Sequence, residues 1–169
     1  DAIASTNAQV RDTRKTTPGM RALEKYAVRC GGGVNHRMSL SDAALVKDNH
    51  IVAAGGVARA FAAVRAAAPS IVLEIEVDTI DQLRTALTAG ADLVLLDNMT
   101  PEVLREAVAI AAQHLAATGR AVVLEASGGL TLENAQSVAA TGVNYISVGA
   151  LTHSAKVLDI GLDLETIVA

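Results

Sequence analysis

The sequence predicts an α/β protein built on a parallel sheet, and two observations lead to that class. From residue 44 onward, short apolar runs alternate with longer, alanine-rich amphipathic runs, at a spacing of roughly 20–25 residues that is typical of βαβ units. The chain has 169 residues, of which 51% are hydrophobic and 19% charged, with one cysteine. It can therefore bury the core of one domain, and the disordered and disulfide-rich classes are excluded.

Six segments predict strands, because they are short, rich in Val, Ile and Leu, and bounded by glycine, proline or polar residues. In chain order they are residues 8–12, 43–47, 71–76, 92–97, 121–126 and 144–148. A further strand is predicted near residues 158–164, which gives six or seven strands.

Five segments predict helices: residues 20–30, 57–68, 79–88, 101–118 and 131–140. Their boundaries carry the usual start and stop residues. Thr79 and Thr131 are suited to N-caps, and Pro101 to the first helical turn. Pro69 and Gly119 follow two of the helices and end them.

Two architectures fit this alternation, a doubly wound open sheet and a barrel. The doubly wound fold requires a glycine-rich turn after its first strand, but residues 31–33 (GGG) follow a helix. A barrel requires polar residues at the carboxyl ends of its strands and phosphate-binding loops after the last ones, and the sequence has both. We therefore predict an open, incomplete, TIM-like parallel α/β barrel, with residues 1–169 forming one domain.

Charged side chains stand at the ends of three consecutive predicted strands. These are Lys47, Glu76 and Asp97, with Asn49 and Asn98 just beyond. Since side chains alternate between faces, each charge shares a face with the residue two positions earlier. The carboxyl ends of parallel strands meet at one rim, so we expect the three charges to converge there rather than simply to emerge into solvent.

Two glycine-containing loops follow the last two strands. The first contains Ser127, Gly128 and Gly129, and the second contains Gly149 and Ala150. Glycine lets the backbone approach a ligand closely, and free N–H groups at a helix start favour phosphate. Either loop alone is typical of an ordinary turn, but two loops after the last barrel strands predict a phosphate site.

The N-terminal part of the chain is basic, although the net charge of the whole chain is -4. The first fifty residues contain eight Lys or Arg against five Asp or Glu. Arg14 and Lys15 are adjacent, and His36 and Arg37 follow the glycine run. With Lys47 they form a set of four cations and one histidine, which suits a small, multiply anionic ligand.

Several other classes are excluded. The basic residues form no long run and are not interleaved with aromatic residues, so we predict no nucleic-acid partner. The longest stretch without charge, residues 134–155, is interrupted by polar residues and glycine, so we predict no membrane association. With no secretory signal, we expect a cytoplasmic protein.

The cysteine and histidine residues do not predict a zinc site, because no Cys/His spacing supports one. Cys30 is expected in the core, and His50, His114 and His153 are expected to be structural or surface residues.

Seven segments together resemble quinolinate phosphoribosyltransferase, the carboxylating nicotinate-nucleotide pyrophosphorylase family. They follow in order and cover essentially the whole chain. The segments are residues 11–21 (RDTRKTTPGMR), 32–37 (GGVNHR), 45–51 (LVKDNHI), 74–77 (EIEV), 95–99 (LLDNM), 124–129 (LEASGG) and 147–152 (SVGALT).

The resemblance implies an activity. The family joins quinolinate to phosphoribosyl pyrophosphate with Mg²⁺, releases pyrophosphate and CO2, and yields nicotinate mononucleotide for NAD synthesis.

The resemblance also implies a role for each matched residue. The implied quinolinate-binding residues are Arg14, Lys15, His36, Arg37 and Lys47. The residues implied for the 5′-phosphate are Ser127, Gly128, Gly129, Gly149 and Ala150. Glu76 and Asp97 are implied at the ribose hydroxyls and the Mg²⁺–pyrophosphate side, with Lys47, Glu76 and Asp97 as the catalytic set.

The resemblance also implies features that have no match in this chain. Family members carry an N-terminal α/β domain before the barrel, and the partner subunit of a homodimer supplies an arginine to the site. This chain begins at Asp1, without an initiator Met, so we expect a longer parent protein and weak or no activity for the isolated domain. Two alternatives stay open: a related phosphoribosyltransferase of the molybdenum-uptake branch, and a non-catalytic anion-binding barrel.

Overall fold

A computed structural model describes residues 1–165, and strands and helices alternate along them. The strands are β1 (Gln9–Arg11), β2 (Ala43–Val46), β3 (Val72–Val77), β4 (Leu93–Asp97), β5 (Val123–Ser127) and β6 (Tyr145–Ser147). The helices are α1 (Arg21–Cys30), α2 (Asp48–Ala54), α3 (Val57–Ala67), α4 (Ile80–Thr88), α5 (Pro101–Thr118), α6 (Leu132–Ala139) and α7 (Ala150–His153). Six of the predicted strands and all five predicted helices are confirmed.

The predicted caps at Thr79, Thr131 and Gly119 form, and Thr100 is a further N-cap that was not predicted. The hydroxyls of Thr79 and Thr100 each accept a hydrogen bond from the backbone N–H three residues later. Thr131 and Asn134 bond reciprocally at the start of α6. Gly119 ends α5 with φ = +71°, a left-handed conformation that costs glycine little.

The strands form one parallel sheet in the order β1-β6-β5-β4-β3-β2. Strands β2 to β6 therefore pair in chain order, and β1 joins the far edge beside β6. Within residues 1–165, β1 and β2 do not pair, so the barrel is open between them. Two contacts lie at this seam: a bridge between Arg11 and Val34, and a 2.7 Å hydrogen bond from Arg37 Nη1 to the carbonyl of Ala43.

One face of each strand packs against the helices and forms the hydrophobic core. On β3 these residues are Leu73, Ile75 and Val77, which are all buried. Burying each such side chain contributes about 1.5–3 kcal/mol. The same face of the other strands contributes Val46, Val94, Leu96, Leu124, Ala126 and Ile146.

The other face of the same strands lines the inside of the barrel and carries buried polar groups among leucines. Glu74 and Glu125 point there and are 2% and 0% exposed. Strand pairing places Leu45 beside Glu74, Glu76 beside Leu95, and Leu95 beside Glu125. Buried charge is costly unless it is paired, so this polar interior marks the region where a site is expected.

Three sequence expectations need correction. Residues 158–164 form no strand, because no neighbouring strand edge among the described residues pairs with them. Their apolar side chains, such as Leu158 and Leu164, are at least 77% exposed. Cys30 is exposed, since α1 turns its Lys25–Val28 side inward instead. Helices α2 and α7 are additional short elements directly after strands.

No helix of the described residues combines the length and apolarity that crossing a bilayer requires.

Candidate active site

A cavity of about 310 Å³ opens at the carboxyl ends of the strands and brings the three strand-end charges together. Lys47 lies at the start of α2, just after β2, and its ammonium contacts the carboxylate of Glu76 on β3. Asp97, the last residue of β4, lines the same cavity. The side chain of Lys47 is 47% exposed, so a ligand can reach the ion pair from solvent.

Arg14, Lys15 and Arg37 bring further positive charge to this cavity. Burial and the neighbouring charge of Arg14 lower the pKa of Arg37, while Glu74 and Asp42 act in the opposite direction. Arginine remains charged at neutral pH, so the two guanidinium groups repel each other. A bound anion would relieve that repulsion.

His36 lies beneath the cavity, with both ring nitrogens facing protein groups. Its Nδ1 accepts a 2.7 Å hydrogen bond from the backbone N–H of Arg37, which assigns the ring proton to Nε2. Nε2 lies 3.0 Å from Glu74 Oε2 and 3.6 Å from Glu125 Oε1. The imidazole is therefore engaged with buried carboxylates, a placement suited to fixing the floor of the site.

Glu125 forms part of that floor and is fully buried. Burial raises the pKa of its carboxyl group, the nearby Glu74 adds to the rise, and His36, Arg11 and Ser147 oppose it. Donor atoms of His36, Glu74 and Glu125 lie within 4.8 Å of one another, as metal ligands would. However, the guanidinium of Arg11 already contacts Glu125 and supplies the compensating positive charge there.

A second buried ion pair fixes the segment that carries His36. Asp12 accepts hydrogen bonds from Lys25 Nζ at 2.5 Å, from Asn35 Nδ2 at 2.5 Å, and from the backbone N–H of His36 at 2.7 Å. Lys25 also donates to the carbonyl of His36 at 3.0 Å. Asp12 and Lys25 are 0% and 3% exposed, so they tie β1, α1 and the His36 segment together inside the protein.

The two glycine loops line a second cavity of about 450 Å³. Its lining includes Lys15, Asp97, Ser127, Gly128, Gly129, Gly149, Ala150 and His153. Lys15, Asp97 and Ser127 also line the first cavity, so the two cavities adjoin. His153 was expected to be only a structural or surface residue; the four-residue α7 brings it to this cavity although it is solvent-exposed.

Glu76 and Asp97 fit the requirements of Mg²⁺, which is bound by carboxylate oxygens together with substrate phosphates. Burial and the nearby Asp78 raise the pKa of Asp97, while Lys47 and the Asn98 amide act in the opposite direction. A divalent cation would relieve the repulsion between the carboxylates of Asp97 and Asp78. Of the two carboxylates, Asp97 and Glu76, Asp97 is the better placed to hold the ion, because Glu76 is paired with Lys47.

Comparison with known proteins identifies the family. The family model described as the C-terminal domain of quinolinate phosphoribosyl transferase matches residues 1–163. The chain belongs to this family. The open parallel barrel agrees with this assignment.

Relatives and solved structures of the family agree in sequence and shape. The carboxylating nicotinate-nucleotide pyrophosphorylase of Mycobacterium leprae is 56% identical over 164 residues, which cover 97% of this chain and 56% of that protein. The human protein of the same name is 44% identical over 162 residues, which cover 95% of this chain and 53% of that protein. The structure of the nicotinate-nucleotide pyrophosphorylase from Ehrlichia chaffeensis superimposes with a TM-score of 0.89 at 41% identity, covering 98% of this chain and 58% of that one. The chain thus spans about half the length of the curated relatives it matches.

Sequence reasoning missed the buried part of the site. Asp12, Lys25, Glu74 and Glu125 were not among the candidate residues, yet they form the floor and its support. A signal was present for the two glutamates, because each lies within an apolar strand where one face has to be buried. For Lys25, a charge on an amphipathic helix, the sequence offers no comparable signal.

Proposed function

We propose that the protein containing this barrel transfers a phosphoribosyl group from phosphoribosyl pyrophosphate to quinolinate, with loss of CO2, to give nicotinate mononucleotide and pyrophosphate. The observation that supports this most directly is the crowding of Arg14 and Arg37 in one cavity, beside a glycine-lined cavity. Two facing cations suit a dicarboxylate, and the glycine loops suit a phosphate.

At the quinolinate end, Arg14, Arg37 and Lys47 bind the two carboxylates, with Lys15 beside them. His36 holds the floor on which the pyridine ring lies. Holding the ring nitrogen against the ribose carbon turns a bimolecular step into an effectively unimolecular one. Such positioning can lower the reaction barrier by up to about 7–11 kcal/mol.

At the ribose end, the 5′-phosphate is held by Ser127, Gly128, Gly129, Gly149 and Ala150. Glu76 and Asp97 face the ribose hydroxyls. Their negative charges stabilise the ribose carbon as it becomes positive, because they are already oriented toward it before the reaction begins.

The reaction needs no covalent enzyme intermediate. The ring nitrogen attacks the anomeric carbon, and pyrophosphate leaves with the electrons of the broken C–O bond. The positive ring nitrogen then stabilises the electron pair left on the adjacent carbon as CO2 departs, and a proton takes its place. Asp97 and Glu76 would hold Mg²⁺, which would neutralise negative charge on the leaving pyrophosphate.

We also propose that the full-length protein is a cytoplasmic homodimer. A third cavity of about 740 Å³, lined partly by Arg14, Arg37 and Lys47, opens beside β2, where the sheet is not closed. The quinolinate end is therefore open on that flank, and an arginine from the partner subunit would cover it. For the isolated chain we expect binding of phosphoribosyl pyrophosphate without rapid turnover.

The test uses the full-length gene product with phosphoribosyl pyrophosphate, Mg²⁺ and quinolinate, with release of nicotinate mononucleotide and CO2 as readouts. Nicotinate is the control substrate, since it lacks the carboxylate that is lost. Arg37→Ala should abolish turnover, whereas Arg29→Ala, an exposed arginine in the last turn of α1, should not. Absence of product from quinolinate, with turnover of another aromatic anion, would favour the molybdenum-uptake branch instead.

A further inference from the structure

Asn98 lies between the two halves of the site and has an unusual backbone conformation. It follows Asp97 at the end of β4 with φ = +54°, and among residues 1–165 it is the one non-glycine residue with positive φ. That conformation is sterically unfavourable for most L-residues and less so for asparagine. Such conformations concentrate at functional sites, where the surrounding structure holds them in place.

Asn98 contacts the carboxylate on one side and the phosphate loop on the other. Its Nδ2 donates a 2.7 Å hydrogen bond to Asp97 Oδ2. Its backbone N–H donates a 2.9 Å hydrogen bond to the carbonyl of Ser127. One residue is therefore bonded both to the group proposed for the ribose and to the loop proposed for the 5′-phosphate.

A third contact sets the distance between the Asn98 amide and the loop. A Cβ atom on Gly128 would lie 2.1 Å from Asn98 Oδ1, 2.6 Å from its Cγ and 3.0 Å from its backbone nitrogen. The backbone of Gly128 therefore packs directly against the amide. Gly128 also has φ = +95°, so glycine is favoured there for its conformation as well as for the lack of space.

We propose that Asn98 is a positioning residue that holds the Asp97 carboxylate and the 127–129 loop at a fixed separation, so that the ribose 5-phosphate part of the substrate contacts both at once. Asn98 acts through these two groups and takes no part in the bond changes. This inference rests on the proposed function, because that function assigns the phosphate to the loop and the ribose to Asp97.

The expected effect is specific for one substrate. Displacement of a substrate-holding group by about 1 Å can cost on the order of 100-fold in rate. Quinolinate is bound by Arg14, Arg37 and Lys47, none of which contacts Asn98 through a hydrogen bond. Loss of the amide should therefore weaken the ribose end and leave the quinolinate end nearly unchanged.

The test compares Asn98→Gly and Asn98→Asp with the wild type in the full-length protein. Glycine adopts positive φ without strain, so Asn98→Gly removes the amide and keeps the turn. Aspartate tolerates the left-handed conformation but places a second carboxylate against Asp97. Calorimetry with ribose 5-phosphate and, separately, with quinolinate gives the two affinities, and thermal unfolding tests the fold.

In both variants we expect the Kd for ribose 5-phosphate to rise at least about tenfold, and the KM for phosphoribosyl pyrophosphate to rise in parallel. The Kd for quinolinate should stay within twofold, and the midpoint of unfolding of Asn98→Gly should not fall. An unchanged Kd for ribose 5-phosphate would overturn the inference. So would an equal loss of both affinities, which is what a merely structural role predicts.

These outcomes separate the inference from the proposed function. If the wild type binds ribose 5-phosphate and Asn98→Gly weakens that binding, the inference is supported even where quinolinate gives no product, and the proposed function then fails alone. If the wild type makes nicotinate mononucleotide and Asn98→Gly keeps the same ribose 5-phosphate affinity, the inference fails alone. A wild type that does not bind ribose 5-phosphate overturns the inference.

Discussion

The ammonium of Lys47 and the carboxylate of Glu76 contact each other across the ends of β2 and β3. In the proposed reaction, Lys47 faces quinolinate and Glu76 faces the ribose. A ligand that binds one member of the pair therefore releases the other. We therefore expect the affinities of the two substrates to be coupled through this contact, equally in both directions.

Lys47→Met should weaken quinolinate binding by about 10- to 150-fold, the range that corresponds to losing one hydrogen bond to a charged group, of about 1.5–3 kcal/mol. The free energy of unfolding should change by less than about 1 kcal/mol, because the ion pair is partly exposed. Calorimetry and urea denaturation measure the two effects. Glu76→Gln completes a double-mutant cycle, and purely additive effects on binding would contradict the coupling.

Lys25→Met should destabilise the fold by about 3–5 kcal/mol, because it leaves the carboxylate of Asp12 buried without its partner. Urea denaturation of the full-length protein gives the value. Arg29→Met is the matched control, since Arg29 lies on the same helix but is exposed. The double variant Asp12→Asn/Lys25→Met should recover part of the loss, and a double variant less stable than Lys25→Met would argue against the buried-charge explanation.

Asp97→Asn should abolish turnover yet stabilise the fold at pH 8. Burial and Asp78 raise the pKa of Asp97, so its ionised form is disfavoured in the folded state. That unfavourable contribution is absent well below the ordinary value of 3.8 and is complete above the raised pKa. In Mg²⁺-free buffer, the variant's advantage in urea midpoint should therefore shrink as the pH falls from 8 toward 4. If the advantage of the variant grew on acidification, the pKa of Asp97 would be lowered in the folded state rather than raised.

Gly128→Ala should lose affinity for ribose 5-phosphate much more strongly than Gly129→Ala does. Both glycines have positive φ, so both variants carry a similar backbone cost of roughly 1 kcal/mol. Only the methyl group at position 128 collides with Asn98, whereas a Cβ at position 129 meets nothing within 4 Å. Calorimetry of the two variants side by side checks the difference; equal losses would mean that strain, not the collision, sets the effect.

The fold and the rim of the site could be predicted because local patterns determine them. Apolar runs, caps and glycine stops fixed the strands and helices, and Lys47, Glu76 and Asp97 followed from the position of each strand end. The strand expected at residues 158–164 failed because a strand also needs a partner, which alternation of side chains does not provide.

The floor of the site could not be predicted in the same way. The contact of Glu125 with Arg11 joins positions 114 residues apart, and that of Lys25 with Asp12 depends on how α1 lies against β1. Asn98 was noted next to a charged strand end, but its role depends on a backbone angle and on the approach of Gly128. Such relations exist only once the chain is folded.

The hydrophobic core of this open barrel curves around the interior that carries the site, and neighbouring residues of one strand face opposite sides of the sheet. On β3, Leu73, Ile75 and Val77 face the core, while Glu74 and Glu76 face the interior. A mutational scan that scored abundance and turnover separately would find the two phenotypes alternating residue by residue along β3. Selection can therefore adjust thermal tolerance and substrate choice within the same short segment, largely independently of each other.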